Sequence, residues 1–148
     1  CFHLNIPPMP NGKFDERDVQ RLKEMGRALE EAFGKELSAG ASLEREAAKA
    51  GDTQCAFVLT LAGEQKARYV ELMEDIEHAG QRVESFLIQV QDEFGQWNTV
   101  SQGTTIGHKR IVSLAKPEFK VESVPVRKMR ILITAARDKV EKLSVKLY

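Results

Sequence analysis

The sequence has few cysteines, no excess of either charge and no long apolar run. Only two residues are cysteine, so one disulfide between Cys1 and Cys55 and two free thiols are both open. Lysine plus arginine and aspartate plus glutamate each number 22, and a neutral chain lacks the basic surface that nucleic acids bind. No apolar run approaches the roughly 20 residues of a membrane-spanning helix. Nucleic-acid partners and a membrane span are therefore not expected.

The beginning of the chain also lacks familiar features. It starts with Cys1 instead of methionine, and no charged segment followed by an apolar one precedes the first polar residues. We therefore expect the 148 residues to be part of a longer protein. This length is enough for one hydrophobic core, or for a small domain with an appendage.

The first 35 residues predict a strand and a helix. Residues 1 to 12 begin apolar and end in three prolines and an Asn-Gly pair, a pattern typical of a buried strand that stops and turns. A helix from residue 15 to 33 should follow, with Asp15 as its N-cap and Gly34 at its end. Apolar residues with helical spacing predict a one-sided stripe that needs a partner surface: Val19, Leu22, Met25, Leu29 and Phe33.

Residues 35 to 54 are rich in glycine, alanine and serine, and we place a domain boundary near residue 36. Within them, residues 43 to 49 read Leu-Glu-Arg-Glu-Ala-Ala-Lys. This stretch is compatible with one short helix or with a loop.

After residue 54 the apolar residues recur with a period of two, as in half-buried strands. The alternating sets are Phe57, Leu59, Leu61; Val70, Leu72; Phe86, Ile88, Val90; Met129, Ile131, Ile133; and Leu143, Val145, Leu147. Turns are predicted at Ala62-Gly63, His78-Ala79-Gly80, Glu93-Phe94-Gly95, Gln102-Gly103 and Lys116-Pro117. We expect a hairpin over 92 to 97 and a further strand pair over 97 to 101 and 111 to 114. Many short strands at this spacing indicate an antiparallel sandwich or barrel.

Residues that could carry chemistry are scattered. His3, His78 and His108 share no metal-ligand spacing, and neither cysteine belongs to a CxxC pair, so no metal and no cofactor are expected. The stretch Gly103-Thr-Thr-Ile-Gly107 lacks the ending of a phosphate-binding loop and is interpreted as a turn. Solvated surface roles are predicted for the acidic residues of the helix and of the strand region: Asp15, Asp18, Glu24, Glu30, Glu31, Glu71, Glu74, Asp75, Glu77 and Glu84.

A polar, aromatic set could contact a sugar, which needs a platform for its apolar ring face and donors for its hydroxyls. The candidates are Arg82, Trp97, His108 and Arg110. Core packing is the competing interpretation for Trp97, and pairing with a nearby acid is the competing interpretation for Arg82.

Several segments, in order, resemble the α-L-fucosidases of glycoside hydrolase family 29. Residues 4 to 8, Leu-Asn-Ile-Pro-Pro, and the helix that runs to Phe33-Gly34 look like the last strand and closing helix of the catalytic barrel. The later segments are similar to the sandwich appended to many members: Gly80-Gln-Arg-Val-Glu-Ser-Phe86, Trp97, Gly103-Thr-Thr-Ile-Gly-His-Lys-Arg110 and Val145-Lys-Leu-Tyr148.

The resemblance implies a fold and a division into domains. Residues 1–35 would be the last strand and amphipathic helix of a (β/α)8-like barrel, which needs about 250 residues in all. Residues 36–148 would be a C-terminal, mainly β domain, a galactose-binding-like, discoidin-type antiparallel β-sandwich. The parent protein would be secreted, periplasmic or otherwise extracytoplasmic.

It also implies a function for the parent protein. That enzyme would remove terminal α-L-fucose from glycans with retention, using an aspartate nucleophile and a separate acid/base carboxylate upstream of Cys1. No catalytic residue is then expected here, and the upstream barrel is the expected partner. Asn5 is the one residue that could approach the substrate, although a structural hydrogen bond is its competing role. The chain would brace the barrel; the alternative is an independent module that binds fucosylated or galactosylated glycans.

Overall fold

The computed structural model of the chain describes residues 4–47, 53–116 and 120–148. The predictions made for Cys1, His3, residues 48 and 49 and Pro117 fall outside these ranges. The chain divides into two compact units, Cys1–Lys35 and Glu36–Tyr148. Each is described by itself.

The first unit contains one helix, α1 (Glu16–Phe33). The strand predicted before it is not formed by residues 4 to 9, which adopt no regular secondary structure and leave Leu4 about half exposed at 49%. A strand is stable only when a neighbour supplies hydrogen-bond partners, and the described part of this unit holds no second strand. Pro7 and Pro8 have no amide N–H to donate in any case.

Both ends of α1 are capped where the sequence predicts. A carboxylate oxygen of Asp15 accepts from the Arg17 amide at 2.8 Å, and the Gly34 amide donates to the Glu30 carbonyl at 2.8 Å. The apolar stripe lies along one side, with Met25 and Leu29 37% and 52% exposed, and no residue of α1 is fully buried. A helix with such a stripe is stabilised mainly by a surface that packs on it.

The Asp15 cap has a measurable pH dependence. The Arg17 side chain and amide both donate to this carboxylate, which lowers the pKa of Asp15 from 3.8 to about 2. A depressed pKa means that the cap contributes above the ordinary pKa and is lost as the pH falls through about 2. We expect NMR titration of the Asp15 carboxyl to give a pKa near 2, and Arg17→Ala to return it toward 3.8. A wild-type pKa near 3.8 would show that this ion pair does not form in solution.

The second unit is an antiparallel sandwich of eight described strands and one short helix, so the sandwich prediction is confirmed. In chain order these are β1 (Ser42–Ala47), β2 (Cys55–Ala67), β3 (Tyr69–Glu74), α2 (Ile76–Ala79), β4 (Val83–Gln91), β5 (Trp97–Gly103), β6 (Arg110–Ser113), β7 (Val124–Ala136) and β8 (Leu143–Leu147). One sheet has the order β1-β2-β7-β4-β5, and the other has the order β6-β3-β8.

The core lies between the two sheets and follows the predicted alternation. Every alternating apolar residue named from the sequence is buried, and Ile88, Ile131 and Ile133 are completely inaccessible. Successive side chains of a strand point to opposite faces, so each strand contributes every second residue to the space between the sheets. The period-two pattern therefore located the core correctly.

One strand was missed. Residues 43 to 49 were predicted to be a short helix or a loop, and that is wrong for the described ones, because Ser42–Ala47 forms β1. It pairs antiparallel with β2 from Ser42 opposite Thr60 to Ala47 opposite Cys55. Glutamate, arginine and alanine favour a helix locally, but pairing with a strand that contributes to the core overrides that preference.

The turn predicted at Ala62-Gly63 is also wrong. β2 continues through both residues as a bulge, because Thr60 lies opposite Lys128 and the next paired residue, Gln65, lies opposite Val126. Residues 61 to 64 thus face a single residue of β7. A bulge lets a strand bend without ending, which a small Ala-Gly pair permits as readily as a turn.

The predicted strand pair after residue 97 is only half right. Both segments are strands, β5 and β6, but they lie in different sheets, where β5 pairs with β4 and β6 pairs with β3. The loop 104–109 carries the chain from one sheet to the other. The hairpin predicted over 92 to 97 is confirmed and joins β4 to β5.

Candidate functional site

The two ends of the sandwich are formed by different connections between strands. At one, called here the loop end, loops 75–82, 104–109 and 137–142 meet. At the other, called the hairpin end, the 92–96 hairpin lies near the β2 bulge at 61–64. β4 runs from the loop end to the hairpin end, and its nine residues span roughly 30 Å.

The structure does not bring the four predicted sugar-contact residues together. Arg82, His108 and Arg110 lie at the loop end, whereas Trp97 begins β5 at the hairpin end. Asn5 belongs to the other unit, where it is exposed beside Leu22 and Met25 in a shallow pocket of about 240 Å³. Its approach to a substrate stays a prediction.

Glu74, at the end of β3, holds the loop end together. Its side chain is buried, with 7% of the residue exposed, and its two oxygens accept three backbone N–H groups. One oxygen accepts from Arg82 at 2.7 Å and from Val83 at 2.9 Å, and the other accepts from Gly107 at 2.7 Å. The surface role predicted for Glu74 is therefore wrong, because the carboxylate replaces the water that these amides would otherwise bind.

The Arg82 side chain bonds to neighbouring loops of the protein. Its guanidinium donates to the backbone carbonyls of Ala79, at 2.9 Å, and of Lys139, and it lies 3.5 Å from a carboxylate oxygen of Asp138. The predicted pairing with a nearby acid is thus present, although two carbonyls supply the shorter contacts. Arg82 joins the 75–82 and 137–142 loops and has few donors left for a ligand.

The other two candidates at the loop end are Arg110, which contacts other protein groups, and His108, which is exposed. Arg110 donates to the Thr105 carbonyl at 2.9 Å and lies 5.8 Å from the centroid of the Phe86 ring. His108 is exposed on the 104–109 loop. The surface role predicted for Glu71 is wrong as well, since it is buried and pairs with Lys109 at 2.9 Å.

A cleft of about 450 Å³ opens at the loop end, and most of the charged groups that line it already have a partner in the protein. His78 contacts Asp75 at 2.7 Å, which lowers the pKa of that carboxyl, and Lys139 contacts Glu141 at 3.0 Å. A ligand that enters this cleft has to compete with these internal pairs.

Trp97 lies on the outer face of the five-stranded sheet, so the core-packing interpretation is wrong. It is half-buried, and the Arg130 guanidinium stacks 4.5 Å from the centroid of its ring. Arg130 in turn donates to the Gln89 side chain at 2.8 Å, and Gln89 donates to Thr99 at 3.0 Å. The indole is therefore held in a fixed orientation by a hydrogen-bonded row across three strands.

The β4–β5 hairpin presents an aromatic residue that sequence reasoning treated only as part of a turn. The Asp92 carboxylate accepts from the Gln96 amide at 2.8 Å, from the Asn98 side chain at 2.8 Å and from the Phe94 amide at 3.0 Å. These bonds, that from Gln96 above all, lower the pKa of Asp92. Gly95 has φ +80°, which suits glycine. Phe94 is 80% exposed at this rigid tip. An apolar residue inside an Asp-x-x-Gly turn was the signal that could have revealed it.

Beside this tip lies a second cleft of about 490 Å³, called the hairpin cleft. It is bordered by Glu64 of the β2 bulge, Glu93 of the hairpin, and Arg127 and Lys128 of β7. Within residues 4–47, 53–116 and 120–148, these four charged side chains form no hydrogen bond and no ion pair. Asp92, the fifth charged residue of the cleft, is used by the hairpin. The hairpin cleft thus differs from the loop-end cleft in having four of its five charged groups available.

The residues that the structure describes show neither a cluster of metal-binding side chains nor a helix that could cross a membrane. They contain no group of three or more histidine, cysteine, aspartate or glutamate side chains arranged to hold a metal ion. None of the helices they form is both long and apolar enough to cross a membrane.

Comparison with known proteins finds that the chain is similar to part of larger proteins, among them an α-L-fucosidase. Alpha-L-fucosidase 1 of Arabidopsis thaliana is 25% identical over 92% of this chain and 30% of that protein. The crystal structure of SpGH29 is 27% identical with a TM-score of 0.79, over 97% of this chain and 34% of the other. The family 32 carbohydrate-binding module of Streptococcus pneumoniae EndoD covers 77% of this chain and 99% of its own at 10% identity and a TM-score of 0.55, a likeness of fold alone. No protein-family model matches the chain.

The chain spans about a third of the length of the two relatives it matches at higher identity. The resemblance to the C-terminal part of family 29 α-L-fucosidases, predicted from the sequence, is confirmed. The chain is thus similar to one part of a larger protein.

Proposed function

We propose that this chain is the non-catalytic C-terminal segment of an α-L-fucosidase, and that its sandwich braces the catalytic barrel. The observation that carries the proposal is the likeness to fucosidases over nearly the whole chain and only a third of theirs. In this proposal Cys1–Lys35 is the end of the barrel domain and Glu36–Tyr148 is the appended domain. The parent enzyme acts on fucosylated glycans outside the cytoplasm.

The state of the carboxylates supports a non-catalytic role. Retaining hydrolysis needs two carboxyl groups about 5 Å apart that reach opposite faces of the glycosidic bond. The buried carboxylates are occupied: Glu74 accepts three backbone amides and Glu71 pairs with Lys109. A carboxylate that saturates its lone pairs with structural donors cannot take up or deliver a proton without disturbing the fold.

The character of α1 supports a place at the edge of a larger domain. Its apolar stripe includes Leu22, Met25 and Leu29, and none of these side chains is fully buried. Such a stripe on a closing barrel helix would pack on the strands of the barrel, which in this proposal are upstream. Residues 4 to 9 would gain the neighbouring strands that they lack here.

The test compares this chain with a protein in which it is joined to its upstream sequence, using a chromogenic α-L-fucoside. Turnover is expected only in the joined protein, because the nucleophile and the acid/base residue are proposed to lie upstream. Removal of Glu36–Tyr148 from the joined protein should lower its melting temperature if the sandwich braces the barrel. Turnover by the isolated chain would contradict the non-catalytic role, and a joined protein without turnover would contradict the fucosidase assignment.

A second candidate function is glycan binding by the sandwich itself. The specific observation in its favour is the shared fold with a family 32 carbohydrate-binding module, which the chain covers almost completely. Two clefts of suitable size lie at opposite ends of the sandwich. This function requires no carboxylate pair and can coexist with the first.

A further inference from the structure

We infer that the hairpin cleft, and not the loop end, is the glycan-binding site of this sandwich, and that its ligand is a neutral oligosaccharide. The inference rests on the second candidate function and makes it specific. It is independent of whether the parent enzyme hydrolyses fucosides.

The first argument is the availability of hydrogen-bonding groups. A sugar hydroxyl binds well where one group accepts its proton and another donates to its oxygen. At the loop end most such groups are already used, as in the Asp75–His78 contact at 2.7 Å. Around the hairpin cleft, Glu64 and Glu93 supply acceptors and Lys128 supplies donors, and among the described residues none of them has a partner to give up.

The second argument is charge. The hairpin cleft is lined by three carboxylates, Glu64, Asp92 and Glu93, and by two cations, Arg127 and Lys128. Asp92 is already used by the three hydrogen bonds of the hairpin, and the other four charges sum to zero. An acidic ligand would meet three like charges, and a basic ligand would meet two. A neutral molecule rich in hydroxyl groups can satisfy both signs at once.

The third argument is the exposed aromatic residue of the hairpin, Phe94, whose two chain neighbours line the cleft. Phe94 is 80% exposed, and its hairpin is fixed by the three hydrogen bonds to Asp92. An exposed ring on a rigid turn offers an apolar surface for the C–H face of a sugar and loses little conformational entropy on binding. The cleft volume of about 490 Å³ lies within the range of small-ligand sites.

The fluorescence of Trp97 can report binding in the hairpin cleft. It is the single tryptophan of the chain and lies directly opposite Gln91, which also lines the hairpin cleft. The Arg130 stack holds its ring in place. A sugar in the cleft should therefore change the Trp97 emission, while a sugar at the loop end, roughly 30 Å away, should not.

The experiment titrates the 148-residue chain with lactose and with a fucosylated lactose, up to about 10 mM, and follows Trp97 fluorescence and backbone amide shifts. Saturable changes are expected in residues 61 to 64 and 92 to 96. Phe94→Ala and Lys128→Gln should each weaken binding about tenfold with an unchanged melting temperature, since both side chains are exposed. His108→Ala, an exposed change at the loop end, is the matched control and should leave the affinity unaltered.

Two results would overturn the inference. One is the absence of a saturable change with either sugar. The other is binding that shifts the amides of loops 75–82 and 104–109 and that Phe94→Ala leaves intact. Neither result involves hydrolysis, so each can be told apart from a failure of the fucosidase assignment.

Discussion

Replacing Glu74 with alanine is expected to lower the free energy of unfolding of the sandwich by roughly 3 kcal/mol or more. The substitution leaves the amides of Arg82, Val83 and Gly107 without their acceptor. Each buried N–H without a partner costs about 1–3 kcal/mol, and water entering the space would recover part of that. Because the three amides belong to two loops, we also expect faster hydrogen exchange in residues 80 to 83 and 104 to 108.

The measurement is urea unfolding followed by Trp97 fluorescence, with Glu77→Ala as the control. Glu77 lies in α2, three residues away, and is exposed, so its removal should change stability by less than about 0.5 kcal/mol. Glu74→Gln should fall between the two, since an amide keeps one acceptor oxygen and places an NH₂ group where a second acceptor is needed. A loss below about 1 kcal/mol for Glu74→Ala would mean that the loops do not depend on this carboxylate.

The second large effect is expected at Gly103, the last residue of β5. A methyl group there would lie 2.5 Å from Cζ and 2.7 Å from Cε1 of the Phe86 ring. Phe86 is only 1% exposed and is packed within the core, so its ring has little room to move. We expect Gly103→Ala to destabilise the sandwich by about 1–3 kcal/mol through overpacking.

A double-mutant cycle separates this contact from a general effect on the strand. Phe86→Leu shortens the side chain that meets the new methyl group, so the cost of Gly103→Ala should be clearly smaller in that background. Gly63→Ala is the matched control, because its added methyl group meets nothing within 4 Å and its backbone suits alanine. Equal costs of Gly103→Ala with Phe86 and with Leu at position 86 would contradict the predicted clash.

Much of the fold follows from local pattern, and the errors have a common cause. The alternation in residues such as Ile131 and Leu143 identifies inward positions because burial on one face is a property of each strand alone. This reasoning fails for residues 43 to 47. An edge strand buries few side chains, so it shows no clear alternation, and its charged residues are ones that favour a helix. It fails for the 61–64 bulge too, because a bulge can be distinguished from a turn only by how β2 pairs with β7.

The candidate site was less predictable because it depends on how the strands are ordered. Arg82 and Trp97 are 15 positions apart in the sequence yet lie at opposite ends of β4. The fold is also needed to know which charged residues already have partners. Glu74 accepts hydrogen bonds from three amides, whereas Lys128 has no partner among the described residues. Composition and motif spacing carry no information on either point.

The position of β7 has a consequence for how the chain is made. β7 lies between β2 and β4, so the β1–β2 pair and the β4–β5 pair belong to one sheet only when β7 is inserted between them. Val124–Ala136 is synthesised after the other four strands of its sheet. A nascent sandwich therefore holds two separate hairpins with open edges until β7 has left the ribosome. Premature termination before β7 would release exposed strand edges, not a smaller folded domain.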